Sequence, residues 1–354
     1  MTAPVTAYVN RISPVVPPHD VHQAFVDFAD ESFELRRKQL LFRRMAERAQ
    51  ISHRWSGISS PREFYGTDPN LVNTKARMVE FERTAPDLAA AAVDGLELGD
   101  RAAEITHLIV VTCTGFYSPG IDFELIKRCG IPSSVERTQI GFMGCFAGIT
   151  GLKTAHHIVR SDPSARVLVV SVELCSLHLQ RSESLETMLS FLVFGDGAAA
   201  VLVTAEPEGL ALDSFKAVMA PETPEMITWH IGETGFDMVL SGKVPGALSK
   251  ALSEENMKLI LAGADHSEFE LWAVHPGGRS ILDAVQNSLE LDPQLLAASR
   301  HVLENFGNMS SATVLFVLAE MMRANAAGAL SGQRGCAMAF GPGLTAETML
   351  FSAV

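Results

Sequence analysis

His107-Leu-Ile-Val-Val-Thr-Cys113 is an unbroken, mostly β-branched apolar run that stops at the turn Cys113-Thr114-Gly115. A strand with one wet face alternates apolar and polar residues. A run of strand length without alternation predicts a strand buried on both faces. Two more such runs, Ala165–Glu173 and Gly197–Thr204, follow in the first half. Between the first and second stands Gly141-Phe-Met-Gly-Cys-Phe-Ala-Gly148, which opens a helical pattern over 146–160. Strands covered on both faces, with helices between them, predict an α/β architecture.

The same order returns downstream. Phe269-Glu-Leu-Trp-Ala-Val-His275 reads as a strand, 308–322 as a helix, and Gly335–Phe340 and Glu347–Val354 as strands. Cys113 and Cys145 lie 32 residues apart, and His275 and Asn308 lie 33 apart. Order and spacing together suggest an internal duplication. The halves are placed at 1–215 and 216–354, because Glu206-Pro-Glu-Gly209 and Pro221-Glu-Thr-Pro224 interrupt the pattern around that seam. Upstream, 33–50 reads as a helix, with Leu35, Leu40, Leu41, Met45 and Ala49 at helical spacing, and 87–95 as another.

Composition narrows the class. A chain of 354 residues that is 47% hydrophobic and 19% charged can bury one large core or two fused halves, which argues against disorder. The first ten residues lack a basic start followed by a long apolar stretch, so neither a secretory signal nor a spanning helix is expected, and a cytoplasmic location is. Five cysteines with no Cys-x-x-Cys pair argue against a disulfide framework and a structural zinc site. A formal charge of −13 disfavours a nucleic-acid partner. Against that background Arg36, Arg37, Lys38, Arg43, Arg44, Arg48 and Arg54 cluster, with Glu47 the sole acid among them. The cluster is either a solvated helix face or a landing site for a phosphorylated carrier such as coenzyme A.

Three residues have settings suited to acyl chemistry. Cys145 is expected at the first turn of a helix, where unpaired N–H groups and the dipole lower a thiol pKa, and where its own N–H would serve as an oxyanion donor. His275 follows a strand and precedes Pro276-Gly277-Gly278, at the strand's C-terminal edge where α/β sheets place ligands. Asn308, in Glu304-Asn-Phe-Gly-Asn-Met-Ser-Ser-Ala312, is expected to start and cap a helix.

Together these settings resemble the ketosynthases and polyketide synthases of the thiolase superfamily, and most closely the type III, or chalcone synthase-like, polyketide synthases of bacterial type. Gly144-Cys145-Phe146-Ala147-Gly148 resembles that family's nucleophile motif. His275-Pro276-Gly277-Gly278 and Gly307-Asn308-Met309-Ser310-Ser311-Ala312 resemble its histidine and asparagine motifs. Phe194-Gly195-Asp196-Gly197-Ala198-Ala199-Ala200 and Phe340-Gly341-Pro342-Gly343-Leu344-Thr345 resemble two further signatures in family order. The likeness spans roughly residues 40–354.

The resemblance implies a thiolase-like five-layered αβαβα fold built from two similar halves, and a homodimer. It implies Cys145, His275 and Asn308 as catalytic residues, acyl-CoA and malonyl-CoA as substrates, and no permanently bound cofactor or metal. Phe194 matches a gatekeeper between the cavity and the CoA tunnel. Met238 falls where plant members carry a second gatekeeper phenylalanine, Trp229 where they carry a cavity-lining glycine, and His178 where they carry a threonine. Cys175, Ser310, Gly277, Gly278, Gly341, Pro342 and Gly343 are counted with the substrate-binding residues, and Arg44 and Arg48 align with contacts to CoA phosphate. The competing expectations are a single-condensing β-ketoacyl synthase III, a degradative thiolase and a non-enzymatic acyl-binding relative. Cys336, ahead of the Gly-rich C-terminal loop rather than in it, disfavours the thiolase.

Overall fold

The computed structural model describes residues 5–59, 61–221, 223–325 and 328–354. The first four residues of the stretch read for a leader, and Glu222 at the expected seam, lie outside the described residues. The strands are β1 (Ala7–Val15), β2 (His19–Asp20), β3 (Trp55–Ser56), β4 (His107–Thr112), β5 (Glu136–Gly141), β6 (Val167–Leu174), β7 (Asp196–Thr204), β8 (Leu210–Met219), β9 (Ile227–Gly232), β10 (Gly235–Leu240), β11 (Leu271–Val274), β12 (Arg334–Gly341) and β13 (Thr345–Ala353). Nine of them form one mixed sheet in the order β11-β12-β13-β8-β1-β7-β6-β4-β5. β9 and β10 make a separate antiparallel pair, as do β2 and β3.

The pairing repeats about the β1–β8 contact. β6 runs parallel to β4 and antiparallel to β7, and β7 runs antiparallel to β1. In the other leaf β12 runs parallel to β11 and antiparallel to β13, and β13 runs antiparallel to β8. The duplication therefore lies in the hydrogen bonding as well as in the spacing. The expected seam after residue 215 falls within β8.

Each leaf is covered on both faces, as the unalternating strands require. Leu108 and Val110 of β4, with Leu168, Val170 and Val172 of β6, face the Thr74–Asp94 helix. Their neighbours Ile109, Val111, Val167 and Val169 face the opposite way, onto the Ala147–Ser161 helix. In the second leaf Leu271, Ala273, Ala337 and Ala339 join that inner core with the Thr313–Ala324 helix, while Trp272, Val274, Cys336 and Met338 face the Arg279–Ser288 helix. Helix, leaf, central helix pair, leaf and helix make five layers, stacked αβαβα.

Local readings differ from the structure in places. The helix expected at 87–95 is the end of Thr74–Asp94, whose internal Pro86 masks its continuity in the sequence. Asn308 does not start a helix: it bridges Phe194 in extended backbone, a single 3₁₀ turn follows at Ser310–Ala312, and the α-helix begins at Thr313. No described helix is long and apolar enough to cross a membrane.

Candidate active site

The duplication sets the geometry of the site. Cys113 and His275 each follow the end of a corresponding strand, β4 and β11, while Cys145 and Asn308 each precede one of the two central helices. These chain positions meet at one cavity of about 60 Å³, which Cys113, Cys145, His275 and Asn308 all line. Of the other expected residues, Phe194, Cys175, Trp229, Met238, Ser310, Gly277 and Pro342 also line it.

Cys145 sits just ahead of the helix rather than inside its first turn, since Phe146 is the N-cap and Ala147 the first helical residue. Two glycines hold this turn against the other half. Gly144 has φ +89°, and a Cβ there would lie 2.2 Å from Pro342 Cδ. A Cβ on Gly148 would lie 2.3 Å from the Ser311 carbonyl oxygen. Only glycine allows both approaches.

The expected lowering of the Cys145 pKa is opposed by burial. Burial pushes the thiol up to about 11, while hydrogen bonds with the Ser310 and Asn308 side chains pull less strongly the other way. Burial likewise holds His275 down at about 3. Its backbone N–H donates to the Met338 carbonyl at 2.8 Å, whereas neither ring nitrogen has a hydrogen-bond partner among the described residues.

Asn308 is fixed on every side but one. Its N–H donates to the Val193 carbonyl at 2.7 Å, and its carbonyl accepts from Gly195 N–H at 3.0 Å. Its Oδ1 accepts from Ser310 N–H at 2.8 Å and from the Thr313 hydroxyl at 3.3 Å. With the oxygen committed, the amide nitrogen is the end left to meet the cavity. Ser310 pivots at φ +48°, an uncommon conformation for a residue with a side chain.

Trp229 and Met238 are cross-strand neighbours on β9 and β10. Trp229 donates its indole N–H to the Cys113 carbonyl. His178, expected to line the cavity, stands behind Trp229. Its Nε2 bonds the Thr114 carbonyl at 2.7 Å, its Nδ1 accepts from Phe236 N–H at 3.0 Å, and its ring stacks on Phe236 at 4.1 Å. Two backbone bonds and a stacked ring hold it out of reach.

A second cavity of about 690 Å³ shares Leu240, Val244, Gly277 and Ile281 with the first, and its wall includes Arg48, Gly278 and Arg279. Arg44 is exposed one turn earlier on the Arg36–Arg48 helix and does not line it. The basic cluster is smaller than it reads: Lys38 pairs with Glu183, Arg43 with Asp30, and Arg54 is buried. Gly341 backs the cysteine, where a Cβ would lie 3.4 Å from the Cys145 nitrogen, and Gly343 lines neither cavity.

Sequence reading missed three contributors. Arg279, after the Pro-Gly-Gly turn, adds a cation to the outer cavity. Glu173 is fully buried at the end of β6, where it accepts from Cys113 N–H at 2.9 Å and from the hydroxyls of Thr114 and Ser311. Its one signal was an acid closing an otherwise apolar strand. Arg54 donates through Nη1 to the Phe191 and Phe194 carbonyls at 3.0 and 2.6 Å, which fixes the backbone of the expected gatekeeper.

Known proteins resemble this chain along most of its length. Residues 10–207 match the N-terminal domain of chalcone and stilbene synthases, and residues 211–354 match their C-terminal domain. Bisdemethoxycurcumin synthase of Oryza sativa subsp. japonica is 37% identical over 324 residues, covering 87% of this chain and 80% of that protein. Among solved structures, the C-terminal type III polyketide synthase domain of Steely1, a type I/III hybrid from Dictyostelium, superposes with a TM-score of 0.90 at 27% identity, covering 99% of each chain. PKS-I from the brown alga Ectocarpus siliculosus gives 0.88 at 28% identity with the same coverage. With both family domains matched in order along nearly the whole sequence, the chain belongs to the chalcone and stilbene synthase family and is a type III polyketide synthase with a thiolase-like fold.

Proposed function

We propose that the protein condenses an acyl-CoA starter with malonyl-CoA by iterative decarboxylation, and that the product cyclises to a pyrone, resorcinol or phloroglucinol type. The observation that carries this reading is the convergence of Cys145, His275 and Asn308 on one largely apolar cavity that adjoins a larger cavity bearing Arg48 and Arg279.

In loading, attack is coupled to proton transfer. Cys145 Sγ passes its proton to His275 as the sulfur adds to the starter carbonyl, and CoA leaves as the thiol when the tetrahedral adduct collapses. Malonyl-CoA then binds with its thioester oxygen toward His275 and the Asn308 amide nitrogen. Loss of CO₂ leaves an enolate whose charge these donors hold in a site of low dielectric. The enolate carbon attacks the acyl-Cys145 carbonyl, forming a C–C bond and breaking the S–C bond, so that Cys145 leaves as a thiolate that takes up one proton, and the CoA thioester, two carbons longer, reloads onto Cys145 by the same exchange for the next round.

Arg48 and Arg279 would pair with CoA phosphates, with Arg44 a weaker long-range contributor. No permanently bound cofactor enters this scheme. We further propose a homodimer: β5 ends the sheet with its outer edge unpaired among the described residues, and such an edge is a template for pairing. The test is to incubate purified protein with a panel of acyl-CoAs and labelled malonyl-CoA and resolve products by mass. Products with several ketide units, made without acyl-carrier protein, are expected. A single unit made only with carrier protein would instead indicate a β-ketoacyl synthase III-like activity.

A further inference from the structure

Phe194 and Asn308 meet in an isolated parallel bridge that joins the two halves of the chain. Its two hydrogen bonds run from Asn308 N–H to the Val193 carbonyl and from Gly195 N–H to the Asn308 carbonyl. The bridge belongs to no longer ladder, so its register needs support from elsewhere.

That support comes from residues 52–57, which cross both partners of the bridge like a strap. On one side the N–H groups of Ser52 and His53 donate to the Glu304 carbonyl at 2.7 and 3.1 Å, and the Trp55 indole donates to the Asn305 carbonyl at 2.9 Å. On the other side Gly57 N–H donates to the Asp196 carboxylate at 2.9 Å. Arg54, at the centre of the strap, points inward and is only 3% exposed. Its Nη1 holds the Phe191 and Phe194 carbonyls, and its Nε donates to His22 Nδ1 at 3.1 Å. Its stem lies on Gly307, whose φ is +69° and where a Cβ would come within 2.9 Å of Arg54 Cγ. One side chain therefore touches the backbone on both sides of the bridge.

The choice of residue is costly for stability. Burial lowers the Arg54 guanidinium to about 9, which leaves it cationic at neutral pH. Its hydrogen bonds among the described residues all go to neutral acceptors, and a cation buried in that way is unfavourable unless it serves another purpose.

We infer that Arg54 is a positioning residue for the decarboxylation step, acting through the Phe194–Asn308 bridge to set where the Asn308 amide nitrogen stands in the cavity. The inference rests on the proposed enolate role of Asn308 and adds the residue that places it. A misplacement of 1 Å can cost a reaction about 10²-fold. Cys145 stands on a different turn, packed against Pro342 and Ser311, so starter loading should not depend on the strap.

The test measures malonyl-CoA decarboxylation and, by intact mass, self-acylation by acetyl-CoA in the full-length protein and three variants. Arg54→Met keeps the stem and loses the donors. It should lower kcat for decarboxylation 10-fold or more, with KM within 2-fold and acylation within 3-fold of native, the last also reporting a folded site. Arg54→Lys, which restores a buried cationic donor, should recover kcat to within 5-fold of native. Trp55→Phe removes only the bond to Asn305 and should show the same split at about 3-fold, which keeps the test open if the Arg54 variants do not fold. Unchanged decarboxylation in folded Arg54→Met, a parallel fall in both half-reactions, an effect on KM alone, no recovery with lysine, or no split in Trp55→Phe would each overturn the inference while leaving the role of Asn308 intact. Native protein that takes the acetyl group but does not decarboxylate malonyl-CoA would overturn the enolate role of Asn308 and the inference with it.

Discussion

Trp229 donates its indole N–H to the carbonyl oxygen of Cys113 at 2.9 Å, which ties the β9–β10 hairpin to the end of strand β4 directly over the reaction cavity. The bond fixes the position of the largest side chain in the chamber. It therefore acts on the space open to a growing chain.

Trp229→Gly should release that space. We expect products at least one ketide unit longer, detected by mass, from a protein destabilised by about 3 kcal/mol through lost packing and a lost hydrogen bond. An unchanged product length in a folded variant would show that Trp229 does not limit extension.

Asn308 and Cys145 should separate the two half-reactions. Cys145→Ala should neither accept the acyl group nor form product. Asn308→Ala removes the amide donor at the enolate oxygen, so malonyl-CoA decarboxylation should fall by roughly 10²–10³, while loading of the starter, read by intact mass, stays within a few-fold. Equal losses in both steps would place Asn308 in binding or structure rather than in stabilising the enolate.

These roles were legible in the sequence to different depths. The unalternating runs at 107–113, 165–173 and 197–204 dictate a doubly covered sheet because nothing else buries such strands, and the near-equal spacings carry the duplication. The surroundings of Cys145 were not legible. The glycines that flag it also pack its turn against Pro342 and Ser311 of the other half, and desolvation there raises its pKa. His178 was misplaced because alignment gives a position along the chain but not the bonds to Thr114 and Phe236 that turn the ring away. Arg54 looked like part of a surface cluster, because a charge run does not reveal which member finds buried carbonyls.

Arg48 and Arg279 should act on binding more than on chemistry. Arg48→Ala and Arg279→Ala should each raise KM for malonyl-CoA about 5-fold, equivalent to about 1 kcal/mol at an exposed ionic contact, with kcat changed less than 2-fold. The effect should shrink at high salt, because charges at the rim are screened. Arg44→Ala should do less, since Arg44 does not line the outer cavity. A fall in kcat with KM unchanged would remove these arginines from CoA recognition.

Acid should destabilise the fold through histidines that fold neutral, His22 and His156 held down at about 4 and, lower still, His178 and His275. Burial lowers His178 and His275 from 6.5 to about 3. As pH falls below 6.5 the unfolded chain binds protons that the folded chain refuses, so stability present above 6.5 is lost on the way to about 3. At pH 5 each of these two histidines costs about 2 kcal/mol. Asp196 opposes them: burial raises it from 3.8 to about 6, so the folded chain takes up its proton first as pH falls, returning about 1 kcal/mol by pH 5. The two histidines outweigh it, and thermal melts should show Tm falling by a few degrees from pH 7 to pH 5. His178→Gln and His275→Gln should each flatten that slope, while Asp196→Asn, which removes the opposing group, should steepen it. A Tm that is level between pH 7 and pH 5 would mean that one of these imidazoles reaches solvent or a compensating anion in the folded chain.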